Sequence, residues 1–580
     1  MKEKLEYDFF KKKMKEYQVI VNKIASGRMI AFLIMISSFI FKYYYYPKLF
    51  TILFFISLFI FVLLVIIHDR YYKIYDYYTK YVNVIKTYLD RENGNWKQFK
   101  DTGSDFLKDS PYYYSDLDLF GDYSLFQYLN ICKTRGGRNK LRKRLSNLEY
   151  SKNQLKEEQE AIMELSHHIH FMIDFSVLLS CYDDIDVYLS RDFSFDKPIY
   201  SSGKRDFVIA IICSSICFIL LLFSILGIVS FRYFYGMFLF NFMMSYLYAY
   251  IFRDKFSYLE KMIIGYRGIR SIFQRCIQEE FQSRKMKSIQ KDMIESLECI
   301  SDLGKLDTIN SFKSNIISNF FGNGFFGINF ILLYLFSKFQ EKNLSKFKSG
   351  ISHLEELEAM CSLANVGVMF DNKCIPILDE EIGIHFDTLI HPLLGEKVCV
   401  ANDFDSDCGV NIITGSNMGG KTSFLRTIGV NLILMNSGTF VCAKNFHASY
   451  FKIFTSMRVA DDIERGISTF YGELLRIKDM VDYVNQGNMF VFIDEIFKGT
   501  NYQDRIYGAK EVIRRLNNRH TIVMLTTHDF ELCEEENVRN YHVKEFYDGD
   551  KIVFDYKIRL GQCTSTNARY LMKKLGIVEK

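Results

Sequence analysis

At 580 residues the chain is long enough for about four domains, and its 49% hydrophobic and 24% charged content is ordinary for a globular protein. A net charge of +5 on that length argues neither for nor against a nucleic-acid partner, so local charge has to decide. Thirteen cysteines occur without a C-x-x-C pair or a His/Cys cluster at ligand spacing, which excludes a structural zinc site and points to a reduced, cytosolic setting.

The first 28 residues are basic, with Lys2, Lys4, Lys11, Lys12, Lys13, Lys15, Lys23 and Arg28. Two apolar runs follow, at about 29–46 and 49–67, and read as a transmembrane hairpin. Lys42 and the tyrosines of "KYYYYP" suit the interface between them. The lysine-rich lead is too long for a cleaved signal peptide. Arg70, Lys73 and Lys80 stand beyond the second run, so both ends of the hairpin are expected in the cytoplasm.

Residues 1–80 are thus a basic N-terminus with a hairpin, and 81–115 a linker. Residues of about 81–205 and 253–375 are mostly helical in pattern, with the three-and-four spacing of amphipathic helices in "SYLEKMIIGYRGIRSIFQRCIQEEFQ", and 116–205 and 253–375 make up the helical region in two parts. Between them lie "FVIAIICSSICFILLLFSILGIV" (Phe207–Val229) and "YFYGMFLFNFMMSYLYAYIF" (Tyr233–Phe252), a second hairpin within 206–252. Lys204, Arg205, Arg253 and Lys255 flank it and repeat the first orientation. The expectation is a multi-pass cell-membrane protein with four spans and with its N-terminus, helical core and C-terminal domain cytoplasmic. A further patch, "FFGINFILLYLF" (Phe325–Phe336), contains Asn329 and is short, and reads as a buried core helix.

From 376 to 580 short apolar strands alternate with helical segments, the pattern of an α/β domain with a mainly parallel sheet. The fold class expected is therefore multidomain α and α/β. In "VNIITGSNMGGKTSFLRTIGV" a strand, a glycine-rich turn and a helix start satisfy G-x-x-x-x-G-K-[ST]. Gly415, Ser416, Asn417, Met418, Gly419, Gly420, Lys421, Thr422 and Ser423 are the candidate phosphate ligands, with Lys421 reaching the β- and γ-phosphates of ATP. Thr422 and Asp494, the latter ending the strand of "MFVFIDEIFKGTN", are candidates for Mg²⁺, and Glu495 is placed to orient and deprotonate the attacking water. "TIVMLTTHDFEL" ends a third strand near His528, a candidate γ-phosphate sensor.

In order and spacing, "TGSNMGGKT", "ERGISTFYGEL", "FIDEIFKGTN" and "TTHDFEL" resemble the ATPase domain of the MutS family, DNA mismatch repair ATPases related to the ABC ATPases. "DLDLFGDYSLFQYLNICKTRGGRNKLRKRL", Asp116–Leu145, resembles the start of the MutS helical core, so the likeness covers most of 116–575. The resemblance implies an ATP hydrolase working as a homodimer through its ATPase domains, with Ser468 of "RGISTF" meeting the γ-phosphate held by the other subunit. Read from its own residues, Ser468 marks only a helix start.

Against the family pattern, Ser416 replaces a proline, Arg465 a small residue, and Phe497 and Lys498 a Gly-Arg pair. Cys399 falls where the family stacks an aromatic ring on adenine. The segment ahead of residue 116 is too short for the family's mismatch-reading and connector modules, and the stretch after "TSTNARYLMKKLGI" leaves no room for a nuclease. The hairpin at 206–252 occupies the place of the DNA clamp. The expected function is a membrane-anchored ATPase moving helical levers, with the lipid bilayer as partner. The alternative is a membrane-tethered DNA-binding protein of the mismatch repair or recombination type. For that alternative the run Lys133, Arg135, Arg138, Lys140, Arg142, Lys143 and Arg144 offers phosphate contacts, though it suits anionic headgroups or a solvated helix equally.

Overall fold

The computed structural model describes residues 6–108, 110–146, 151–181, 203–314, 316–416, 418–458, 469–548 and 551–563. It is mostly helical up to Met369 and α/β beyond. Helices α1 (Tyr7–Phe41) and α2 (Pro47–Glu92) form an antiparallel pair. Pro47 opens α2, its fixed φ suiting a first helical position, while Tyr46 before it is extended. Tyr43–Tyr46 therefore lie in the turn, where they are exposed, and the helical part of the first expected span ends at Phe41. Both helices continue well past a bilayer's thickness: Phe10 stacks on Tyr81 at 4.3 Å and Tyr17 on Tyr78 at 5.4 Å. The start of the expected linker is thus helical as far as Glu92. There Tyr81, Val84, Ile85 and Tyr88 pack on Ile169, Ile173 and Val177.

Short helices α3 (Tyr113–Asp116) and α4 (Leu125–Leu129) lead to α5 (Arg135–Leu145), α6 (Lys152–His167) and α7 (Ile169–Ser180). Thr134 caps α5 by accepting from Gly137 N at 2.9 Å. The two glycines of "RGG" bring α5 so close to the later helix α13 that a Cβ at Gly136 would fall 1.9 Å from Glu355 Oε1.

The second half of the helical region comprises α8 (Gly203–Ile225), α9 (Phe231–Ile251), α10 (Arg253–Gln278), α11 (Arg284–Ser314), α12 (Ile316–Phe326) and α13 (Ile328–Met369). Among the described residues α1, α2 and α8 are long and apolar enough to cross a membrane. Helix α9, expected as the fourth span, does not reach that composition: Tyr233, Tyr235, Tyr246, Tyr248, Tyr250 and Asn241 dilute its apolar content. The patch at Phe325–Phe336 is not one buried core helix. It breaks at Gly327, whose φ of 59° is left-handed, and α12 and α13 meet there at 81°.

The C-terminal region holds two sheets. Strands β1 (Ile377–Leu378), β2 (Ile384–Leu389), β3 (Asn402–Ser406) and β5 (Asn445–Ala448) form one, in the order β1-β5-β2-β3. The larger contains β4 (Gly409–Thr414), β6 (Lys452–Ser456), β7 (Met489–Asp494), β8 (Thr521–Thr526), β9 (Val538–Asp548) and β10 (Lys551–Leu560), ordered β10-β9-β4-β8-β7-β6. All its pairings are parallel except β9 with β10. Helices α14 (Lys421–Asn436), α15 (Thr469–Tyr483) and α16 (Tyr502–Leu516) complete it. Strands β4, β7 and β8 are buried almost throughout, as parallel strands covered on both faces are.

This domain and the helical core are packed as one body. Thr439 Oγ1 donates to Leu363 O at 2.8 Å, Ser437 Oγ to Arg144 O at 2.9 Å, and Phe440 lies against Gly367. Arg144, 3% exposed, pairs with Glu158 at 2.8 Å and Glu356 at 2.5 Å, and Lys285 adds a second cation. Burial raises the Glu356 pKa, but Arg144, Lys285 and Lys140 outweigh it and hold the carboxyl down at about 2.

Candidate nucleotide site

In an open parallel sheet, ligands gather at the carboxyl ends of the strands, and the candidate residues lie at the ends of β4, β7 and β8. After Thr414 the chain turns through Gly415, with φ 130°, and enters α14 from Gly420, with φ 88°. Neither position suits a side chain: a Cβ at Gly415 would meet Val543 at 2.6 Å, and one at Gly420 the ring of Tyr556 at 3.0 Å. The first amides of α14 then face the turn with the positive end of the helix dipole.

Lys421, 3% exposed, reaches back over this turn and donates to Gly415 O at 2.5 Å. Burial lowers its pKa, while Glu495 and Asp494 oppose that shift. Thr422 Oγ1 donates to Asp494, 3.0 and 2.9 Å from the two carboxylate oxygens, and Thr526 Oγ1 donates to Asp494 Oδ1 at 2.6 Å. A hydroxyl and a carboxylate side by side are hard oxygen donors of the type Mg²⁺ takes, with room for waters on the open side.

Glu495 has a left-handed backbone, φ 58°, and its N–H donates to Thr526 O at 3.1 Å. That bond pins the turn after β7 to the end of β8. Its carboxylate faces His528 Nε2 at 3.4 Å and Lys498 Nζ at 3.6 Å. The His528 hydrogen bond, then Lys498 and Lys421 against partial burial, hold the Glu495 carboxyl at about 2. His528 Nε2 is also 3.3 Å from Lys421 Nζ, so its tautomer decides whether it donates to Glu495 or accepts from Lys421. A cleft of about 450 Å³ opens beside these groups, lined by Ser456, Arg458, Thr469, Glu473, Glu495 and Lys498 among others.

The structure thus brings Gly415, Gly420, Lys421, Thr422, Asp494, Glu495 and His528 together. Ser416, Met418 and Gly419 lie in the turn, and Ser423 in the first turn of α14. Asn417, Arg465 and Ser468 lie outside the described residues. Cys399 is half-buried and accepts from His391 N at 3.2 Å, presenting no ring.

Three residues that sequence reasoning gave no part in the site also build it. Thr526 orients Asp494. Tyr556, from β10, covers Gly420. Glu473, buried, accepts from Phe497 N at 2.6 Å. That bond holds Phe497 at φ 58°, a conformation that suits the family's glycine better than phenylalanine and costs about 1–2 kcal/mol. Burial of the Phe497 ring, 5% exposed, offsets that cost. The left-handed position was readable from the glycine it replaces, the partner was not.

Replacing His528 by Ala removes the main group that depresses the Glu495 pKa, which then rises towards the ordinary carboxylate range. A depressed carboxylate loses its charge only as pH falls through its shifted value. The Glu495 carboxyl is therefore expected to titrate at higher pH in H528A, read by carboxyl NMR, and an unmoved titration separates His528 from Glu495.

The family model described as MutS domain V matches residues 411–576. The chain is 29% identical over 248 residues to the "Endonuclease MutS2" of Carboxydothermus hydrogenoformans, covering 41% of this chain and 31% of that protein. It is 29% identical over 234 residues to a "DNA mismatch repair protein MutS" of Natronomonas pharaonis, covering 39% and 27%. A protein of the same description from Listeria monocytogenes is 30% identical over 233 residues, covering 38% and 26%. The chain thus spans less than a third of the length of these curated relatives. The match falls on the domain that carries the glycine-rich turn, Asp494 and Glu495, so residues 411–576 form a domain of the MutS domain V type.

Proposed function

We propose that the chain is a membrane-anchored ATPase of the MutS type, in which ATP binding and hydrolysis in a homodimer move helical levers rooted in the bilayer. The observation that carries this reading is α13, one 42-residue helix that packs on the ATPase domain near Leu363 and Gly367 and ends beside α8 and α9. At 1.5 Å per residue it is about 63 Å long, so movement at one end is delivered to the other without an intervening joint.

At the site, Lys421 and the amides of the turn bind the β- and γ-phosphates, and Thr422 with Asp494 would hold Mg²⁺. Bound there, the ion would neutralise charge on the phosphates during transfer. Glu495, an anion at neutral pH, orients the attacking water and takes its proton, and His528 fixes the Glu495 carboxylate. By the family resemblance, Ser468 of the second subunit closes the γ-phosphate side. The ATP sandwich is then a two-state element that both the nucleotide and the levers bias.

The second reading, a membrane-tethered DNA-binding protein, rests on the relatives' names and on the basic run from Lys133 to Arg144. That run is largely committed within the fold. Arg138 pairs with Asp101 at 2.7 Å and Asp105 at 3.0 Å, Lys140 donates to Ser352 Oγ at 2.8 Å, Arg144 is buried among carboxylates, and Arg142 lies over Phe106. These contacts favour the lever reading.

ATPase activity of the detergent-purified protein, measured with added heteroduplex DNA or with anionic lipid, separates the two. Stimulation by lipid alone is expected; salt-sensitive stimulation by DNA would give the second reading precedence. In the membrane, a Lys42→Cys label is expected to react from the face opposite the ATPase domain while Cys563 stays protected. The reverse pattern overturns the topology.

A further inference from the structure

Resting on the membrane reading of α8 and α9, we infer that α12 and the first turns of α13 form a re-entrant hairpin, dipping into the cytoplasmic leaflet among lipid acyl chains and returning to the same side. No Asp, Glu, Lys or Arg occurs from Ser314 to Ser337, while Lys313 and Lys338 bound the stretch. Ile316 is 88% exposed, and Ile317, Phe321 and Phe326 are exposed on the same short helix. An apolar face of this kind, uncovered by the rest of the chain, calls for an apolar solvent.

Continuity with the proposed spans identifies that solvent. Phe325 lies 5.4 Å from Phe218 and 5.1 Å from Phe238, and Phe320 lies 5.0 Å from Phe242. Phe218 stands eleven residues beyond Phe207, about 16 Å along the helix or roughly half the hydrocarbon thickness. The two limbs end at one level. Lys313 sits over the Phe256 ring at 4.3 Å, and Phe336 packs on Tyr258 at 5.6 Å, both just beyond the end of α9. Helices α11 and α13 then run side by side: Asn343 Nδ2 donates to Asp302 at 3.1 Å and Ser296 Oγ to Lys346 O at 2.8 Å. A complete crossing between Lys313 and Lys338 would put these partners on opposite sides of the membrane, so the segment has to turn back.

Non-helical backbone at membrane depth survives only where protein satisfies its polar groups, and the break at Gly327 is surrounded by such groups. Asn323 Oδ1 accepts from Ser245 Oγ at 2.6 Å and from Asn329 N at 3.1 Å. Asn241 Nδ2 donates to Gly324 O at 3.2 Å, and Asn329 Nδ2 to Ser245 O at 3.1 Å. These four side chains are at most 3% exposed. They fasten the turn to α9, whose tyrosines and Asn241 leave it short of the composition of an independent span.

The chain has one tryptophan, buried Trp96, which allows a direct test. In a Trp96→Phe background, single Phe326→Trp and Ile216→Trp proteins are reconstituted into bilayers with mid-chain brominated phosphatidylcholine, which quenches indole on contact. Both are expected to lose emission, and Lys313→Cys and Lys338→Cys to react with an impermeant maleimide from the ATPase side. Loss at Ile216→Trp but not Phe326→Trp, with Phe326→Trp quenched by aqueous iodide instead, overturns the re-entrant hairpin alone. No loss at either position overturns the membrane reading of α8 with it. Labelling of Lys313→Cys and Lys338→Cys from opposite faces makes the segment a span and equally overturns the inference.

Discussion

A Glu495→Gln protein is expected to bind ATP normally and to hydrolyse it about 10²–10⁴-fold more slowly, the usual worth of a positioned general base. The amide fills the same volume and can still accept from His528, but it takes no proton from water. Lys421 and the turn amides, proposed to hold phosphate, are untouched, and Asp494 keeps its bonds from Thr422 and Thr526. Nucleotide is therefore expected to accumulate on the protein, with the dimer persisting, as read by retained radiolabelled ATP and by mass after rapid gel filtration. The direction of the Glu495 shift makes this a sharp test. A carboxyl held at about 2 is fully ionised across the working pH range, so loss of activity in the variant cannot come from titration. Unchanged turnover would remove Glu495 from the chemistry and leave the attacking water to another group in the cleft.

What could be read in advance depended on how far apart the partners lie in sequence. Lys421, Thr422 and the glycines are contiguous, and their turn is set by local backbone demands, so the spacing alone announced them. Asp494 and Glu495 were legible because the apolar strand they end follows a glycine-rich turn of phosphate-binding spacing; an acid pair at a strand end is otherwise commonly just solvated. The helical and α/β halves followed from periodicity. Glu473 was not legible, because its partner is the Phe497 amide, and backbone groups leave no trace in composition. Nor was the break at Gly327: "FFGINFILLYLF" has the hydrophobicity of one helix, and only packing against α9 shows that Asn329 inside it donates to Ser245 O. The helical pattern from about residue 81 was legible, but not its unbroken continuity with α2. The charged continuation to Glu92 is amphipathic and not oily, and becomes a defined helix by packing on α1 and α7.

The second large effect is expected far from the nucleotide, at Asp116. This carboxylate is 0% exposed and accepts from Met457 N and Arg458 N, both at 3.1 Å, and from Arg476 Nη1 at 2.9 Å. Arg476, 7% exposed, also donates to Arg458 O at 3.0 Å and lies under the Tyr112 ring at 4.1 Å. One aspartate of the helical core thus holds the end of β6 and the helix α15, which flank the cleft beside Asp494 and Glu495. Replacing it by Ala leaves a buried guanidinium without its counter-ion and two amides without acceptors. Breaking a buried pair from one side costs about 3–5 kcal/mol, visible as a drop of several degrees in the melting temperature of the ATPase domain in detergent. Arg476→Met added to Asp116→Ala removes the orphaned charge and is expected to recover part of that loss, which a contact without electrostatic content would not show. Asp116→Asn keeps the shape and one oxygen acceptor but turns its NH2 towards a donor, so its smaller cost combines the lost charge with one lost acceptor. If this joint is also where the ATPase domain grips the levers, the Asn variant should fold, hydrolyse ATP at its basal rate and lose stimulation by lipid. A protein that melts lower yet still responds to lipid would place the coupling instead at the contact of α13 with Thr439 and Phe440.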